Sequence, residues 1–356
     1  MSISSGRFMR ACHLQEVDAT PVWFMRQAGR SLPEYREVRA KHSFLTVCNQ
    51  PDLCAAVTLQ PVERLGVDAA ILFADIMTPL LGLGVDLELV EGVGPVVARP
   101  IRCMADLDQL RPLEPDADLA PTLAAIRLVR RDLGDRVPLI GFAGAPFTLA
   151  SYLIEGGPSR RFTTTKALMY RDPALWHALM ERLTRLTAAY LSAQLAAGVD
   201  AVQLFDSWVG CLSPQDYATY VHPYSSRIAA SLSSFQSPLI HFGADTATLL
   251  PQMRAEGGTV IGLDWRIPLD EAWDLLGPDL AVQGNLDPAV LLAPWEVVAA
   301  QTSEILCRAA GRPGHIFNLG HGIYPETPVD TLLRLVDFVH EQTARSATSL
   351  PERTLV

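Results

Sequence analysis

Lysine is nearly absent from this chain, since Lys41 and Lys166 are the only lysines among its 29 basic residues. Arginine supplies the rest of the positive charge, so an isolated arginine is weak evidence of function. The 39 acidic residues leave a formal net charge of -10, which argues against nucleic acid or an anionic membrane as a partner. No apolar run approaches the roughly 20 residues that a membrane-spanning helix needs.

The cysteines do not follow the spacing of a disulfide framework or of a structural zinc site. The six are scattered at positions 12, 48, 54, 103, 211 and 307, and no C-x-x-C pair occurs among them. We therefore expect a reduced, cytoplasmic protein. The chain also lacks a phosphate loop with a Lys-Ser/Thr ending and a dinucleotide fingerprint, so neither a metal nor an organic cofactor is predicted.

Eight short apolar runs, each ending in glycine or polar residues, recur along the chain. Such runs fit strands that are buried on both faces, as in a parallel sheet. Helical patterning lies between most of them, and it is clearest from Pro173 to Gly198, where the glycine is expected to cap the helix. The predicted strands are Pro21–Met25, Ala69–Phe73, Pro138–Phe142, Ala201–Phe205, Pro238–Phe242, Val260–Leu263, Leu280–Gln283 and His315–Asn318.

Alternating strands and helices predict an α/β fold, namely a single-domain (β/α)8 TIM-type barrel over residues 1–344. Residues 345–356 are expected to form a frayed tail. The long segment from Ile76 to Val137 is expected to add a hairpin or loop before a helix at Pro121–Leu133. Both a barrel and an open doubly wound sheet carry their active sites at the carboxyl ends of the strands. Polar residues near predicted strand ends are Arg26, Asp75, Ser207, His241, Asp264, Asn285 and His321.

A loop with two arginines follows the first predicted strand and reads Arg26-Gln27-Ala28-Gly29-Arg30. Ala28 and Gly29 keep its backbone compact, and the two guanidiniums can bind planar anions through paired hydrogen bonds. This loop predicts a receptor for a ligand that carries several carboxylates or phosphates. Two solvated arginines in a turn are the alternative.

Asp75 is a second candidate, because it follows the apolar run Ala69–Phe73 and therefore lies at a strand end on an apolar wall. A carboxylate there has about four lone-pair sites for converging N–H donors. In a dry pocket its charge would also favour a cationic group strongly. The alternative is an ordinary helix N-cap.

Several stretches, in the same order along the chain, resemble the uroporphyrinogen decarboxylase family. The resemblance extends from about Cys12 to about His340, and long motifs in the right order make chance agreement implausible. The matching stretches are Pro21–Arg36, Phe73–Ile76, Gly141–Leu149, Ser151–Tyr152, Glu155–Gly157, Leu204–Trp208, Gly284–Pro288 and Asn318–Gly322.

The resemblance implies decarboxylation of the four acetate arms of uroporphyrinogen III to methyl groups, which gives coproporphyrinogen III in porphyrin and haem biosynthesis. A ring-protonated pyrrole would take up the electrons, so no cofactor is needed. The resemblance also implies a homodimer. The implied catalytic residues are Asp75, Arg26, His321 and Tyr152, and the implied substrate-binding residues are Arg26, Gln27, Ala28, Gly29, Arg30, Arg39, Asp75, Ile76, Phe142, Gly144, Tyr152, Ser207 and His321.

Within this set the roles differ. Tyr152 and Ser207 are interpreted as hydroxyl donors to a substrate carboxylate, although tyrosine packing and serine capping are the ordinary alternatives. His321, between two glycines, would bind a carboxylate or transfer a proton if it titrates near neutrality, and a structural histidine is the alternative. Phe142, Gly144 and Ile76 are expected to form the walls. The proton donor stays open.

Two other functions compete with this interpretation. A zinc-dependent corrinoid or thiol methyltransferase of the same barrel superfamily would need thiolate and imidazole ligands. Such enzymes typically pair a His-x-Cys with a distant Cys, whereas this chain has His241-Phe242-Gly243 and an isolated Cys307. A porphyrinogen-binding protein without catalysis would keep the arginines but could dispense with Asp75.

Overall fold

The computed structural model describes residues 6–90 and 93–345. Its main feature is a curled parallel sheet of seven strands in the order β1-β4-β5-β6-β7-β8-β9, and β2 and β3 form a separate antiparallel hairpin. The α/β class is thereby confirmed, and the curled sheet is consistent with a TIM-type barrel. The strands are β1 (Ala70–Ile71), β2 (Leu87–Val90), β3 (Gly94–Val97), β4 (Leu139–Gly144), β5 (Ala201–Asp206), β6 (Leu239–Gly243), β7 (Val260–Gly262), β8 (Ala281–Gln283) and β9 (His315–Ile316).

The first predicted strand, Pro21–Met25, forms only one parallel bridge, between Val22 and Phe317. Its other edge meets the segment before β1, where the Asp68 N–H donates to the Val22 carbonyl at 2.8 Å. Side chains replace the carbonyls of a regular ladder, because the Val22 N–H donates to the Asp68 carboxylate at 2.7 Å and the Met25 N–H to Asn318 Oδ1 at 3.2 Å. The segment therefore fills the gap between the two edge strands without meeting the definition of a strand.

Polar contacts inside the sheet show how strongly it curls. Gln203 on β5 accepts a hydrogen bond from Gln283 on β8 at 3.2 Å, although these strands are not neighbours. Gln283 also accepts the Trp23 indole N–H at 2.9 Å. All three side chains are buried, so their polar atoms need these partners. The interior thus ties the Pro21–Met25 segment to the opposite wall.

Helices cover the outside of the sheet, and the longest, Pro173–Ala197, ends at Gly198 with φ 116°, as predicted. None of the helices in the described ranges is both long enough and apolar enough to span a bilayer. The helices are α1 (Arg7–Cys12), α2 (Pro33–Lys41), α3 (Phe44–Asn49), α4 (Pro51–Leu65), α5 (Thr78–Gly82), α6 (Met104–Asp108), α7 (Pro115–Asp118), α8 (Ala120–Leu133), α9 (Pro146–Glu155), α10 (Thr163–Arg171), α11 (Pro173–Ala197), α12 (Pro214–Tyr220), α13 (His222–Leu232), α14 (Leu250–Ala255), α15 (Leu269–Leu276), α16 (Trp295–Ala309) and α17 (Val329–Thr343).

The hairpin of β2 and β3 and the helix α8 confirm the two features predicted for the segment Ile76–Val137. The hairpin lies against α9, since the Val97 N–H donates to the carbonyl of Gly156, which caps that helix. The predicted tail, 345–356, lies outside the described residues except for Arg345.

Candidate active site

The two-arginine loop is held in place by the side chain between the arginines, which reaches back to the residue before β1. Gln27 is buried, its Oε1 accepts the Phe24 N–H at 2.9 Å, and its Nε2 donates to the Ala69 carbonyl at 2.8 Å. The turn puts Arg26 and Arg30 at positive φ, 63° and 42°. A left-handed backbone at two non-glycine residues is uncommon and marks a constrained segment. The side-chain amide of Gln27 holds the loop, and its backbone N–H donates to the Phe24 carbonyl at 3.0 Å, so its predicted substrate contact could come only from its backbone carbonyl.

Gly29 has φ 116°, a conformation that a residue with a Cβ rarely adopts. An added Cβ would lie 3.4 Å from the Tyr35 ring and 3.5 Å from Phe73, so the loop packs tightly on α2 and on the end of β1. Tyr35 lies against Phe73 with ring centroids 5.5 Å apart. Arg39, one turn later on α2, donates to the His42 carbonyl at 2.5 Å, and its charge partly offsets the rise in the pKa of Tyr35 that burial causes. The structure thus places Arg39 behind the loop, next to Tyr35.

Ala28 is half-buried and packs against the core beside Tyr35. Within the described ranges, no residue accepts a hydrogen bond from the N–H groups of Ala28 and Gly29. Successive backbone N–H groups in a turn with left-handed residues form a concavity that suits an anion. The loop therefore combines two guanidiniums with free amide donors.

The Arg26 side chain crosses in front of the segment that follows β9. A Cβ on Gly322 would overlap its aliphatic part, so glycine is required there for close packing. The Arg26 side chain is exposed to solvent through the cleft. The protein around it nevertheless displaces much of its water, and this desolvation lowers the pKa of Arg26, an effect that Asp75 and Tyr152 partly offset. Burial and the nearby Arg26 lower the pKa of Arg30 to about 10. Both arginines stay cationic at neutral pH, and an anion would relieve their mutual repulsion.

Asp75 lies at the end of the apolar run that contains β1, as predicted. Its Oδ1 accepts the Met77 N–H at 2.8 Å, which closes the turn before α5, but the N-cap of that helix is Met77, so Asp75 is not the helix cap. Within the described part of the chain, no donor satisfies Oδ2. Burial raises the pKa of Asp75, and the Met77 N–H and Arg26 offset this only in part. A carboxylate that burial makes costly to ionise is stabilised by an additional positive charge or donor.

His321 does not titrate near neutrality, contrary to the expectation from its residue type. Burial, followed by the charges of Arg26, Arg30 and Arg266, lowers its pKa to about 4. The ring approaches Phe242 edge-on, with centroids 6.3 Å apart. At physiological pH the imidazole is therefore neutral and offers one N–H donor and one acceptor nitrogen.

Tyr152 stands across the cleft on α9. Burial and the nearby carboxylate of Asp75 raise its pKa, so the phenol stays protonated and can donate. Its ring lies on Trp208, with centroids 3.9 Å apart and an interplanar angle of 33°, and Trp208 in turn meets Phe162 at 5.1 Å. Ser207, half-buried, directly precedes this tryptophan after β5. Asp75, Arg26 and Tyr152 thus form one electrostatic group, with Ser207 beside it.

Phenylalanines line the inner face of the sheet between these polar groups. Phe142 meets Phe205 edge-on at 5.4 Å, and Phe205 meets Phe242 at 6.0 Å. Gly144 lies where a Cβ would come 3.2 Å from the Cβ of Ile76, so these two close the wall next to Asp75. The structure thus brings the predicted wall residues together on one side of the cleft, and Phe205 extends this apolar surface toward Phe242.

Three neighbours of this site were not singled out from the sequence. Trp208 belongs to a matching motif but had no predicted role, and its size beside Ser207 was the available signal. Phe205 lies two positions after Gln203, on the same face of β5, so strand alternation could have found it. Arg266 acts on His321 through its charge, and Asp264 and Asp245 hold its guanidinium in place at 2.7 Å each, pairings that only the fold reveals.

His241 does not face the cleft. Pairing of β5 with β6 sets Phe205 opposite Phe242 and Leu204 opposite His241, so His241 points outward, toward the helices. Its Nδ1 lies 2.8 Å from the buried carboxylate of Glu256. Within residues 6–90 and 93–345, no three His, Cys, Asp or Glu side chains converge on a position suited to a metal.

The model of the uroporphyrinogen decarboxylase family (URO-D) matches residues 4–342. Uroporphyrinogen decarboxylase of Roseiflexus sp. (strain RS-1) is 55% identical over 347 residues, which cover 96% of this chain and 100% of that protein. The enzyme of Thermobifida fusca (strain YX) is 57% identical over 344 residues, with 97% and 95% covered. This chain belongs to the uroporphyrinogen decarboxylase family.

Among solved structures, a methyltransferase from Methanosarcina mazei has a TM-score of 0.78 at 21% identity and covers 96% of this chain and 99% of its own. A B12-independent methionine synthase from Shewanella sp. W3-18-1 has a TM-score of 0.57 at 11% identity, with 85% and 90% covered. At such identities the likeness concerns the fold alone, and the methyltransferase alternative has no further support from it.

Proposed function

We propose that this chain is a carboxy-lyase that converts uroporphyrinogen III to coproporphyrinogen III by removing carbon dioxide from its four acetate arms. The substrate carries eight carboxylates on four pyrroles, and the cleft combines cationic donors with an apolar wall. The observation that carries the proposal is Asp75: a carboxylate at an apolar strand end, with one oxygen free and with Arg26 and Tyr152 beside it. Membership of the family supports the same reaction.

Each decarboxylation consumes one proton in total. A pyrrole first takes a proton on a ring carbon and becomes a cation; its acetate then loses carbon dioxide, and the C–C bonding pair neutralises the ring as an exocyclic methylene. That methylene carbon takes a proton and the ring carbon returns one, which leaves a methyl group. The pyrrole itself is the electron sink, so this scheme uses no metal or organic cofactor.

Asp75 would accept hydrogen bonds from pyrrole N–H groups and stabilise the ring cation, because a buried charge acts most strongly where water is excluded. Arg26, Arg30 and the free amides of Ala28 and Gly29 would hold the carboxylates, with Arg39 supporting the loop. Tyr152 and Ser207 would donate to a carboxylate arm.

His321, being neutral, would act as a hydrogen-bond donor or acceptor rather than as a charged partner. Phe142, Gly144 and Ile76 would form the apolar surface for the macrocycle. The proton donor to the ring stays open, since an arginine releases its proton reluctantly.

The proposal includes the architecture around this site. We place the active site at the carboxyl ends of the strands of a single-domain (β/α)8 barrel over residues 1–344, in which Pro21–Met25 supplies the eighth position. The bridge of Val22 to Phe317 supports this closure. A homodimer in the cytoplasm, with no nucleic-acid partner, rests on the family resemblance, the scattered cysteines and the net charge of -10.

Turnover of uroporphyrinogen under anaerobic conditions tests the function directly. We expect mass spectrometry to show the loss of four carboxyl groups after the protein has been treated exhaustively with a metal chelator and without any added cofactor. Activity that disappears on chelation and returns with zinc would contradict the cofactor-free scheme and favour the methyltransferase branch. Binding of the porphyrinogen without release of carbon dioxide would favour the non-catalytic alternative.

A further inference from the structure

A chain of buried polar side chains lies outside the sheet, behind Ser207 and Trp208. Asp206, Glu256 and His241 are buried, with exposures of 0%, 6% and 3%. His241 Nδ1 lies 2.8 Å from one oxygen of Glu256, and its Nε2 lies 3.9 Å from Asp206 Oδ2. The second oxygen of Glu256 accepts the Tyr217 hydroxyl at 2.5 Å. None of these side chains has a part in the proposed reaction.

The electrostatics of this group favour a cationic histidine between two carboxylates. Burial alone would lower the pKa of His241, but Glu256 and Asp206 outweigh burial and raise it to about 10. Burial likewise opposes the charge of Glu256, yet His241, the nearby His222 and the hydrogen bond from Tyr217 lower its pKa. For Asp206 burial dominates and raises the pKa. The charged form of Asp206 therefore depends on His241 and Thr148 for stabilisation.

Thr148 joins this buried group to the cleft. Its hydroxyl donates to Asp206 Oδ1 at 2.8 Å, and its oxygen accepts the backbone N–H of Trp208 at 3.4 Å. A hydroxyl can donate one hydrogen bond and accept two. The Thr148 hydroxyl donates to Asp206, and its oxygen is then free to accept the N–H of Trp208. Thr148 is fully buried, which makes both contacts costly to lose.

Tyr152 lies four residues after Thr148 on α9, and therefore on the same face of that helix. Thr148 holds the backbone of Trp208, while the Tyr152 ring lies on its indole at 3.9 Å. Phe162 packs on Trp208 as well, at 5.1 Å. The tryptophan is thus fixed through its backbone by the buried group, and it supports the tyrosine through its ring.

We propose that Thr148 and Asp206, backed by His241 and Glu256, are positioning residues that set the orientation of Tyr152 in the cleft through Trp208. This inference rests on the proposed role of Tyr152. Small displacements of a group that contacts substrate lower turnover even when the altered residue is remote, by as much as about 100-fold for a shift of 1 Å. The buried group would act in this way without touching substrate.

Replacement of Thr148 by valine removes the hydroxyl and keeps the shape, whereas Thr148→Ser retains the hydroxyl. We expect Thr148→Val to lower kcat about tenfold with little change in KM, and Thr148→Ser to stay close to the parent. Thr184→Val is the matched control, since Thr184 is also buried and its hydroxyl donates to the Met180 carbonyl of its own helix at 2.8 Å. If Thr148→Val does not fold, Thr148→Ala removes the same hydroxyl without placing a methyl group beside Asp206.

A double-mutant cycle with Tyr152→Phe separates positioning from general loss of stability. If Thr148 acts through Tyr152, adding Thr148→Val to Tyr152→Phe should lower kcat no further. Fully multiplicative effects, or parental turnover in Thr148→Val while Tyr152→Phe is impaired, would overturn the positioning role alone. Parental turnover in Tyr152→Phe would instead refute the proposed role of Tyr152, and with it this inference.

Discussion

Asp75 and Asp206 each lie at the carboxyl end of a parallel strand, yet they have opposite surroundings. Asp75 is half-buried, faces the cleft, and has one protein donor for its two oxygens. Asp206 is fully buried on the outward face of β5, where Thr148 donates to one oxygen and His241 Nε2 lies 3.9 Å from the other. Position at a strand end is therefore insufficient evidence of catalysis; the side to which the residue points decides.

The two histidines differ in the same sense. His241, between carboxylates, has its pKa raised to about 10, whereas burial and three arginines lower that of His321 to about 4. One is a buried cation that holds elements together, and the other is a neutral donor and acceptor in the cleft. The contrast predicts that removal of the His241 charge chiefly reduces stability, whereas changes of the residues in the cleft chiefly reduce turnover.

The largest effect is expected from His241→Gln. Glutamine removes the cation and leaves the buried carboxylates of Glu256 and Asp206 without compensation, which costs about 3–5 kcal/mol of unfolding free energy. Urea denaturation followed by circular dichroism measures the loss. His13→Gln, at an exposed position, should change stability by less than about 0.5 kcal/mol. A parental midpoint in His241→Gln would show that the buried group contributes no stability.

The pH dependence of stability gives a second test of the interaction between His241 and the two carboxylates. The folded pKa of His241, about 10, exceeds the unfolded value of about 6.5. Its stabilisation is therefore complete below about pH 6.5 and is lost as the pH rises toward 10. The stability difference between parent and His241→Gln should accordingly shrink from neutral to alkaline pH. A difference that stays constant over this range would contradict a charged His241.

Asp75→Asn should lower turnover and leave the stability of the fold nearly unchanged. We expect kcat to fall by about 100- to 1,000-fold, the usual cost of removing a group that stabilises transition-state charge. The unfolding free energy should stay the same or rise slightly, because burial makes the Asp75 charge unfavourable. Asp86→Asn, at an exposed position, is the control for turnover. Near-parental kcat in Asp75→Asn would exclude charge stabilisation by this residue.

Much of the fold could be predicted from the sequence, because apolar runs bounded by turn residues mark buried strands. The run His315–Asn318, for instance, contains β9, and Leu239–Gly243 nearly coincides with the predicted Pro238–Phe242. Pro21–Met25 was predicted as a strand but forms a single bridge, since carboxylate and amide side chains accept the N–H groups of Val22 and Met25. These side-chain acceptors belong to distant residues, Asp68 and Asn318, which local sequence patterns do not reveal.

The candidate site was predictable as a set of residues but not in its electrostatics. Motifs identified Arg26, Asp75 and His321, and the structure brings them together. The neutrality of His321 arises from burial and from the charges of Arg26, Arg30 and Arg266, which lie tens to hundreds of positions away in the chain. Likewise, only the hydrogen bond from Gln27 to the Ala69 carbonyl shows that the Gln27 side chain supports the loop from inside. Such long-range contacts set the charge state and accessibility of groups whose identity the sequence already indicates.

Arginine-to-lysine changes in the loop should have an intermediate effect. Arg26→Lys and Arg30→Lys keep the charge but lose the planar fork, which should cost about 1.5–3 kcal/mol in kcat/KM per charged hydrogen bond lost. Arg254→Lys is the control for an arginine-to-lysine change on the surface, where one guanidinium nitrogen of Arg254 contacts both oxygens of Asp279, at 2.7 and 2.9 Å. Parental kcat/KM in both loop variants would mean that charge alone suffices.

The smallest effect concerns the pH profile of His321→Asn. Because the pKa of His321 lies near 4, the imidazole is neutral in the free enzyme throughout the range from about pH 5.5 to 8, and kcat/KM reports the free enzyme. The variant should lose some activity, since asparagine reproduces only part of the hydrogen bonding, but the ratio of parental to variant kcat/KM should be the same at every pH in that range. Taking the ratio removes the ionisation of the substrate carboxylates, which affects both proteins equally. A ratio that changes with a midpoint near pH 6.5 would show that His321 titrates normally, and the cluster of arginines around it would then have to lie farther from the ring than the structure places them.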